Sequence, residues 1–168
     1  TLVVPVGSGC TTAGLCAGLH LAHALGLAPP PPIVHAVRVT PWPVTSRWRL
    51  ARLAAHTVAL VDTLRGAPSG ISAAALRARL VVDGRFLGAG YGHATEAGER
   101  ATARLATVGV AVDAVYAAKA GAALLDLAAR DRGPILFWLT KAATPLPDAT
   151  AADLALAPAA LQRWLGAR

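Results

Sequence analysis

The sequence predicts an α/β fold in which a layered, mainly parallel sheet is flanked by helices. Short, fully apolar runs alternate with longer alanine- and leucine-rich stretches, and turns rich in glycine or proline separate them. Such runs are typical of strands buried on both faces of a sheet, and their alternation with helices favours parallel pairing. A length of 168 residues corresponds to one domain, residues 1–168.

The first half of the chain predicts two strands, each followed by a helix. Four consecutive prolines at 29–32 end the first helix. Thr45 or Ser46 can cap the second helix, because a side-chain oxygen there accepts from a free backbone N–H group. The strands are predicted at residues 2–6 and 33–39, and the helices at 12–27 and 47–64.

The second half predicts further helices around two strands. Thr95 can cap a helix, Gly109 ends it, and Asp153 lies near the start of the last one. Glycine is too frequent at 88–92 for regular structure. The strands are predicted at 80–82 and 135–139, the latter buried, and the helices at 73–79, 95–108, 117–130 and 149–167.

The chain is basic, with a net charge of +7 and a pI near 10.7. Basic proteins often bind nucleic acid through a concentrated patch. Here the arginines are scattered except for Arg47, Arg49 and Arg52, which flank Trp48. Those three could form a phosphate or RNA patch, but we interpret them as a solvated helix face with one packing tryptophan. We therefore predict no nucleic-acid partner.

Cysteine usage and hydropathy indicate a reduced, cytoplasmic protein. Cys10 and Cys16 lie in one apolar, glycine-rich stretch without the spacing of a metal site. No apolar run is long enough for a membrane span, and no secretory signal is present. The sequence contains no methionine and opens on a core strand, so we expect it to be part of a longer protein.

The strongest chemical pattern is the turn VPVGSGCTTAG at residues 4–14, which joins a strand to a helix. Glycines let the backbone approach a ligand closely, and the helix N-terminus attracts an anion such as phosphate. The turn lacks the lysine of a nucleotide P-loop and, with Ala13, the full dinucleotide fingerprint. A tight corner without a ligand is the alternative.

Four segments together resemble the D-cysteine desulfhydrase and aminocyclopropane-carboxylate deaminase family. GSGCTTAGL at 7–15 resembles the family's phosphate loop GSGGTxAGL. GAGYG at 88–92, followed by Thr95 and Glu96, resembles GxGYGxxTxE, and VDAVYAAKA at 112–120 resembles LDPVYxGKA. ILFWLT at 135–140 resembles the strand before the family's TGG. The resemblance runs from residue 2 to about 147 and covers the C-terminal half of a family member.

The resemblance implies a tryptophan-synthase-β-like fold, of which this chain is most of the larger domain, and the cofactor pyridoxal 5′-phosphate. It also implies a lyase or deaminase that acts on a small amino acid and is a homodimer at full length. The lysine that binds the cofactor as a Schiff base comes from a preceding segment, so Lys119 is not assigned that role. The implied catalytic residues are Tyr91 and Tyr116, and the implied cofactor-binding residues are Gly7, Ser8, Gly9, Cys10, Thr11, Thr12 and Thr140.

Several positions depart from the family pattern. Cys10 replaces a glycine, Ala114 a proline, and Ala117 a Glu or Thr near the pyridine nitrogen. Lys141 and Ala142 stand in place of the two glycines of TGG. The departures favour, as the alternative to an enzyme, an inactive relative that keeps the fold and phosphate or cofactor binding. A basic nucleic-acid-binding module is a third hypothesis.

Other polar residues have ordinary interpretations. His20 and His23 share a helix face and could ligate a metal with a third group, but no such group stands at a useful spacing. His93 adjoins the glycine-rich segment and could line a pocket. Glu96 and Glu99 suit the first turn of a helix.

Overall fold

The computed structural model describes residues 1–130, 133–140 and 148–166. Its described strands form one sheet in the order β3-β2-β1-β4, and all three pairings are parallel. The predicted α/β class is therefore confirmed. The strands are β1 (Leu2–Val6), β2 (Val34–Arg38), β3 (Leu80–Asp83) and β4 (Leu136–Phe137).

Helices follow the strands, and several of them begin at side-chain caps. Ser46, Thr95 and Thr150 each accept a hydrogen bond from a backbone N–H group in the first turn of the helix that follows. No described helix is long and apolar enough to cross a membrane. The helices are α1 (Cys10–Ala24), α2 (Arg47–Arg65), α3 (Ala73–Ala78), α4 (Glu96–Ala106), α5 (Ala117–Arg130), α6 (Ala151–Leu156) and α7 (Ala159–Gly166).

The central strand β1 is buried along its whole length and separates two apolar layers. Successive side chains of a strand point to opposite faces, so Val4 and Val6 pack with α1 and α2 while Val3 packs with α5. Removing each of these valines from water contributes roughly 1.5–3 kcal/mol. The sheet therefore places the start of α1 and the start of α5 on opposite faces of the end of β1.

Helices α4 and α5 pack closely because glycines line their contact. A Cβ atom added to Gly121 would lie 2.9 Å from Leu105 Cδ1, and one added to Gly98 would lie 3.4 Å from the Ala118 methyl. Larger side chains would hold the helices apart. This packing fixes the position of α5, which begins directly after Tyr116.

Two predicted elements are wrong in detail. The strand predicted at 135–139 has two residues and is not buried, since Leu136 is 57% exposed; β4 lies at the sheet edge and pairs with β1 alone among the described strands. The single helix predicted at 149–167 is divided at Pro158, whose ring holds Ala157 in extended backbone (φ −66°, ψ 149°).

Candidate functional site

The first glycine turn, residues 7–9, leaves the carboxyl end of β1 and enters α1. Ligands of open parallel sheets bind at this edge. Gly9 has φ 99°, a left-handed conformation that suits glycine. A Cβ atom at Gly9 would also collide with the buried side chain of Leu50. Both the backbone angle and the packing therefore require glycine here.

The N-terminus of α1 lacks the groups that usually complete a helix end. Gly9 offers no side-chain cap, and the first turn contains no acidic residue. The first N–H groups of a helix have no partner within the helix, and the dipole makes this end positive. Thr12 is 1% exposed, and its Oγ1 has no hydrogen-bond partner among the described residues. The arrangement suits an anion that accepts several hydrogen bonds.

A pocket of about 100 Å³ opens over this helix end. Its volume is below the range of pockets that hold whole drug-sized ligands, and it suits one phosphate-sized group. The structure thus brings together the seven residues predicted to bind the cofactor, and one of the two predicted tyrosines joins them. The lining residues are Pro5, Val6, Gly7, Ser8, Gly9, Cys10, Thr11, Thr12, Tyr116 and Thr140.

The side chains of Thr40, which follows β2, and Arg49, in α2, bind the backbone carbonyl groups of the first glycine turn. Thr40 Oγ1 donates to the Gly7 carbonyl at 3.1 Å, and Arg49 Nη1 donates to the Ser8 carbonyl at 3.2 Å. Arg49 also donates to the Val44 carbonyl at 2.6 Å. Because the carbonyls are engaged from this side, the turn keeps its N–H groups for the pocket. No local sequence pattern indicates this role for Arg49.

The two tyrosines of the chain meet beside the pocket. Their rings pack edge to face, with centroids 6.0 Å apart and planes at 87°, and the Oη atoms are 3.4 Å apart. Tyr116 also covers Gly7, where an added Cβ atom would lie 2.9 Å from Tyr116 Oη. The hydrogen bond with Tyr91, together with burial, raises the pKa of Tyr116. The phenol of Tyr116 is therefore held in its protonated form.

Asp113 fixes the backbone that carries Tyr116. Its Oδ1 accepts from the N–H groups of Val115 at 3.1 Å and Tyr116 at 2.8 Å. Its Oδ2 accepts from Ala117 N–H at 3.1 Å, which caps the start of α5. Asp113 is not among the site residues predicted from the sequence. An Asp three or four residues before an alanine-rich helix was the available signal.

Lys119 lies in the first turn of α5 and is completely buried. Its Nζ donates to the carbonyls of Leu87 at 2.8 Å and Gly90 at 2.9 Å. Burial lowers the pKa of this ammonium group. Gly90 belongs to the second glycine turn, residues 88–92, which also carries Tyr91. The lysine therefore connects α5 to that turn and is not among the residues that line the pocket.

A network of charged side chains lies just before the second glycine turn, around the buried Asp83 and His35. It was not predicted from the sequence. Asp83 accepts from His35 Nε2 at 3.0 Å and from Arg85 Nη2 at 2.6 Å, and Arg85 also pairs with Asp126 at 3.0 Å. Burial alone would raise the pKa of Asp83, but the hydrogen bonds from Arg85 and His35 lower it to about 2. His35 and Asp126 are distant in sequence from Asp83 and Arg85, so no local pattern indicates the network as a whole.

The histidines singled out in the sequence do not gather into a site. His20 Nδ1 donates to the Cys16 carbonyl of its own helix at 2.8 Å, and His23 Nδ1 donates to the Ala28 carbonyl at 3.2 Å. His93 is exposed and is not among the pocket's lining residues. Within the described parts of the chain, no group of three or more His, Cys, Asp or Glu side chains is placed to hold a metal.

The arginines around Trp48 serve local structure. Arg47 donates twice to the Arg77 carbonyl, at 3.1 and 2.7 Å, and the Arg52 guanidinium stacks 5.4 Å from the centre of a Trp48 ring. With Arg49 bonded to the Ser8 and Val44 carbonyls, all three arginines have intramolecular contacts. Glu96 and Glu99 occupy the first turn of α4, as predicted.

The positions that depart from the family pattern fall in different places. Cys10 is an exposed free thiol in the pocket lining. Ala117 is buried at the start of α5, and its methyl group offers no polar contact. Ala114 is exposed in the turn that Asp113 organises. Lys141 and Ala142 lie outside the described residues.

A solved structure of similar fold is described as that of an ACC deaminase homologue, where ACC stands for aminocyclopropane-carboxylate. It matches this chain with a TM-score of 0.56 and 27% identical residues. The match covers 81% of this chain and 37% of that chain, so this chain spans little more than one third of that protein's length. No protein-family model and no curated protein matches the sequence.

Proposed function

We propose that this chain is the phosphate-binding, tyrosine-bearing part of a pyridoxal-phosphate enzyme, a lyase or deaminase that acts on a small amino acid of the D-cysteine or ACC type. One observation carries the proposal. The uncapped N-terminus of α1 and the buried, unpaired hydroxyl of Thr12 converge on a phosphate-sized pocket that Tyr116 also lines. The fold similarity to an ACC deaminase homologue supports the same assignment.

The residues of the pocket fit the phosphate group of the cofactor. Backbone N–H groups at Cys10, Thr11 and Thr12 would donate to the phosphate oxygens, and the hydroxyls of Ser8, Thr11 and Thr12 add further donors. Thr140, at the far side of the pocket, supplies another hydroxyl. No acidic side chain lines the pocket among the described residues, so nothing there repels an anion.

When bound, pyridoxal phosphate acts as an electron sink for a carbanion at the substrate α-carbon. The chain's own residues hold the phosphate, orient the ring and present phenol groups. Tyr116 keeps its proton at Oη, since the hydrogen bond with Tyr91 and burial raise its pKa. A protonated phenol beside the pocket suits a donor or a positioning group for the substrate.

We propose that the complete enzyme is a longer, two-domain protein. This chain covers 37% of the ACC deaminase homologue's chain, and the lysine that binds the cofactor would come from another segment of the parent protein. Lys119 does not take that role, because its Nζ is buried against the Leu87 and Gly90 carbonyls. A homodimeric, cytoplasmic enzyme completes the proposal.

Ala117 supports a second candidate, a non-catalytic relative that still binds the phosphate. The methyl side chain of Ala117 is buried and has no polar atom to partner a pyridine nitrogen. Such a partner tunes the electron-withdrawing strength of the ring. A protein of this kind would bind pyridoxal phosphate without turning over an amino acid.

Calorimetric titration of the chain with inorganic phosphate, pyridoxal phosphate and pyridoxal tests phosphate binding. We expect the two phosphate-containing ligands to compete, and pyridoxal to bind more weakly. Thr12→Val, which removes one hydroxyl, should weaken the affinity roughly tenfold. Thr57→Val is the matched control, since Thr57 Oγ1 bonds the Leu53 carbonyl of its own helix at 3.1 Å. Equal affinity in the Thr12→Val variant would contradict the proposal.

Borohydride treatment of the parent protein separates the two candidates. Cofactor trapped on a lysine outside this chain, together with turnover of D-cysteine or ACC, is expected for the enzyme. Reversible binding of pyridoxal phosphate without trapping or turnover is expected for the non-catalytic relative.

A further inference from the structure

Lys119 is unusual among the buried residues because its side chain ends in an ammonium group. It is the largest of the fully buried side chains, and no described carboxylate pairs with its Nζ. A buried ammonium group costs free energy unless hydrogen bonds compensate for the lost water. Two carbonyl oxygens at 2.8 and 2.9 Å supply that compensation. Charge-assisted hydrogen bonds are stronger than neutral ones, so this contact holds its partners firmly.

The partners of Lys119 are backbone groups in or next to an exposed, glycine-rich segment. Residues 88–94 are exposed or half-exposed, and Gly88, Gly90 and Gly92 all have positive φ. Glycine gives such a segment many accessible backbone states. The hydrogen bonds from Lys119 select one of them by fixing the carbonyls on either side of Gly88.

The fixed turn places one functional side chain. Tyr91 directly follows Gly90, and its ring meets Tyr116 edge to face with the two Oη atoms 3.4 Å apart. Tyr116 is held separately by the Asp113 cap at the start of the same helix. Helix α5 thus carries both anchors: Asp113 before its first turn for one tyrosine, and Lys119 within it for the other.

We propose that Lys119 is a positioning residue, which sets Tyr91 against Tyr116 beside the pocket through its two hydrogen bonds to the 87–90 backbone. The inference deepens the proposed function and rests on it for the chemical purpose of the tyrosine pair. The spatial effect of Lys119 on Tyr91 is independent of which ligand the pocket takes.

A lysine that only filled space would behave differently. Methionine has a similar length and shape and no N–H donor, so Lys119→Met would preserve a purely structural role. If Lys119 positions Tyr91, the same variant releases the second glycine turn although the core stays packed. The geometry of the tyrosine pair separates the two roles.

The tyrosine pair can be observed directly, because Tyr91 and Tyr116 are the only tyrosines in the 168 residues. Incorporating 3-fluorotyrosine gives two fluorine signals, and the fluorine lowers the phenol pKa so that both rings titrate before the protein unfolds in base. In the unsubstituted chain we expect a magnetisation-transfer contact between the rings and a raised pKa for Tyr116. Lys119→Met should abolish the contact and return the Tyr116 titration toward that of a free tyrosine.

Arg104→Met is the matched control, since it also replaces a helical cation by methionine, at an exposed position in the last turn of α4. It should leave both fluorine signals unchanged. A Lys119→Met protein that folds, by circular dichroism, and keeps the ring contact and the raised Tyr116 titration would overturn the inference.

If Lys119→Met does not fold, a measurement on the unsubstituted chain tests whether Lys119 makes its two hydrogen bonds. The chain has two lysines, so ¹⁵N-lysine labelling yields two ammonium signals. We expect one of them to exchange its protons slowly and to show couplings through hydrogen bonds to the Leu87 and Gly90 carbonyl carbons. Two fast-exchanging ammonium groups would overturn the inference.

The outcome for Lys119 is distinguishable from that for the proposed function. Lys119→Met leaves the first glycine turn and Thr12 untouched, so its affinity for inorganic phosphate should equal that of the unsubstituted chain. A chain that binds no phosphate but loses its tyrosine contact on Lys119→Met would refute the proposed function and support the positioning role.

Discussion

The first glycine turn is held by its backbone angles and by several side chains packed around it, whereas the second receives its side-chain hydrogen bonds from Lys119. Gly9 takes its left-handed angle against the packed side chain of Leu50. The second turn has open space at Gly90 and Gly92 and depends on Lys119 for its position. The first turn therefore suits a rigid cradle for an anion, and the second suits a support for Tyr91 whose position is set from α5.

The largest expected effect tests whether the two turns are independent. Asp83→Ala removes the carboxylate that both His35 and Arg85 contact, just before the second turn. The buried His35 is then left without its partner. We expect unfolding in urea to show a loss of about 3 kcal/mol, with little change in phosphate affinity once the protein is folded. Asp62→Ala, at a half-buried position near the end of α2, should cost less. A parallel loss of phosphate affinity would show that the turns are coupled.

Acid should weaken the same network. The pKa of Asp83 is about 2 in the folded protein and 3.8 ordinarily. A lowered folded pKa contributes stability above the unfolded value, and that contribution is lost as the pH falls through the folded value. Between about pH 4 and pH 2 we expect Asp83 to account for a loss of about 2 kcal/mol. Urea unfolding at several pH values should show a shallower dependence for Asp83→Asn, and identical slopes would contradict the assignment.

A smaller effect sharpens the description of the first turn. Gly9→Ala meets both an unfavourable φ and the Leu50 side chain, whereas Gly26→Ala meets only an unfavourable φ of 70° in open space. We expect Gly26→Ala to cost about 1 kcal/mol and Gly9→Ala about 1 kcal/mol more. Thermal unfolding measures the difference. Equal costs would mean that Leu50 yields and that the turn is less rigid than its packing indicates.

The smallest expected effect concerns the second turn. Tyr91→Phe removes one hydroxyl of an exposed pair, so we expect stability to change by less than about 0.5 kcal/mol. The Tyr116 titration should nevertheless move toward its ordinary value, because the hydrogen bond with Tyr91 is the main cause of its raised pKa. An unchanged Tyr116 titration would assign the raised pKa to burial instead.

Local patterns predicted much of the fold and part of the site. The first three strands, the caps at Ser46 and Thr95 and the glycine turn before α1 depend on neighbours in sequence, and the structure has them where the patterns indicated. Pro158 was an available local signal whose effect was overlooked. The prediction that Tyr91 and Tyr116 belong to one site came from the resemblance to a known family and not from any local pattern.

The contacts that hold the site depend on residues far apart in sequence. Lys119 contacts backbone about 30 positions away, and His35 meets Asp83 across 48 positions. No hydrophobic period or capping motif encodes such pairs, because they form only when the sheet and helices are assembled. The same holds for the exposure of β4, which depends on its place at the sheet edge.

The two cysteines of α1 give the molecule a selective point of attachment. Cys10 is exposed at the pocket, while Cys16 is buried and its pKa is raised to about 11 by burial. A thiol-reactive dye at neutral pH would therefore couple to Cys10 and spare Cys16, since the thiolate is the reacting form. The native sequence thus accepts a fluorescent reporter at the entrance of the pocket, without any substitution, and its emission would follow ligand arrival in real time.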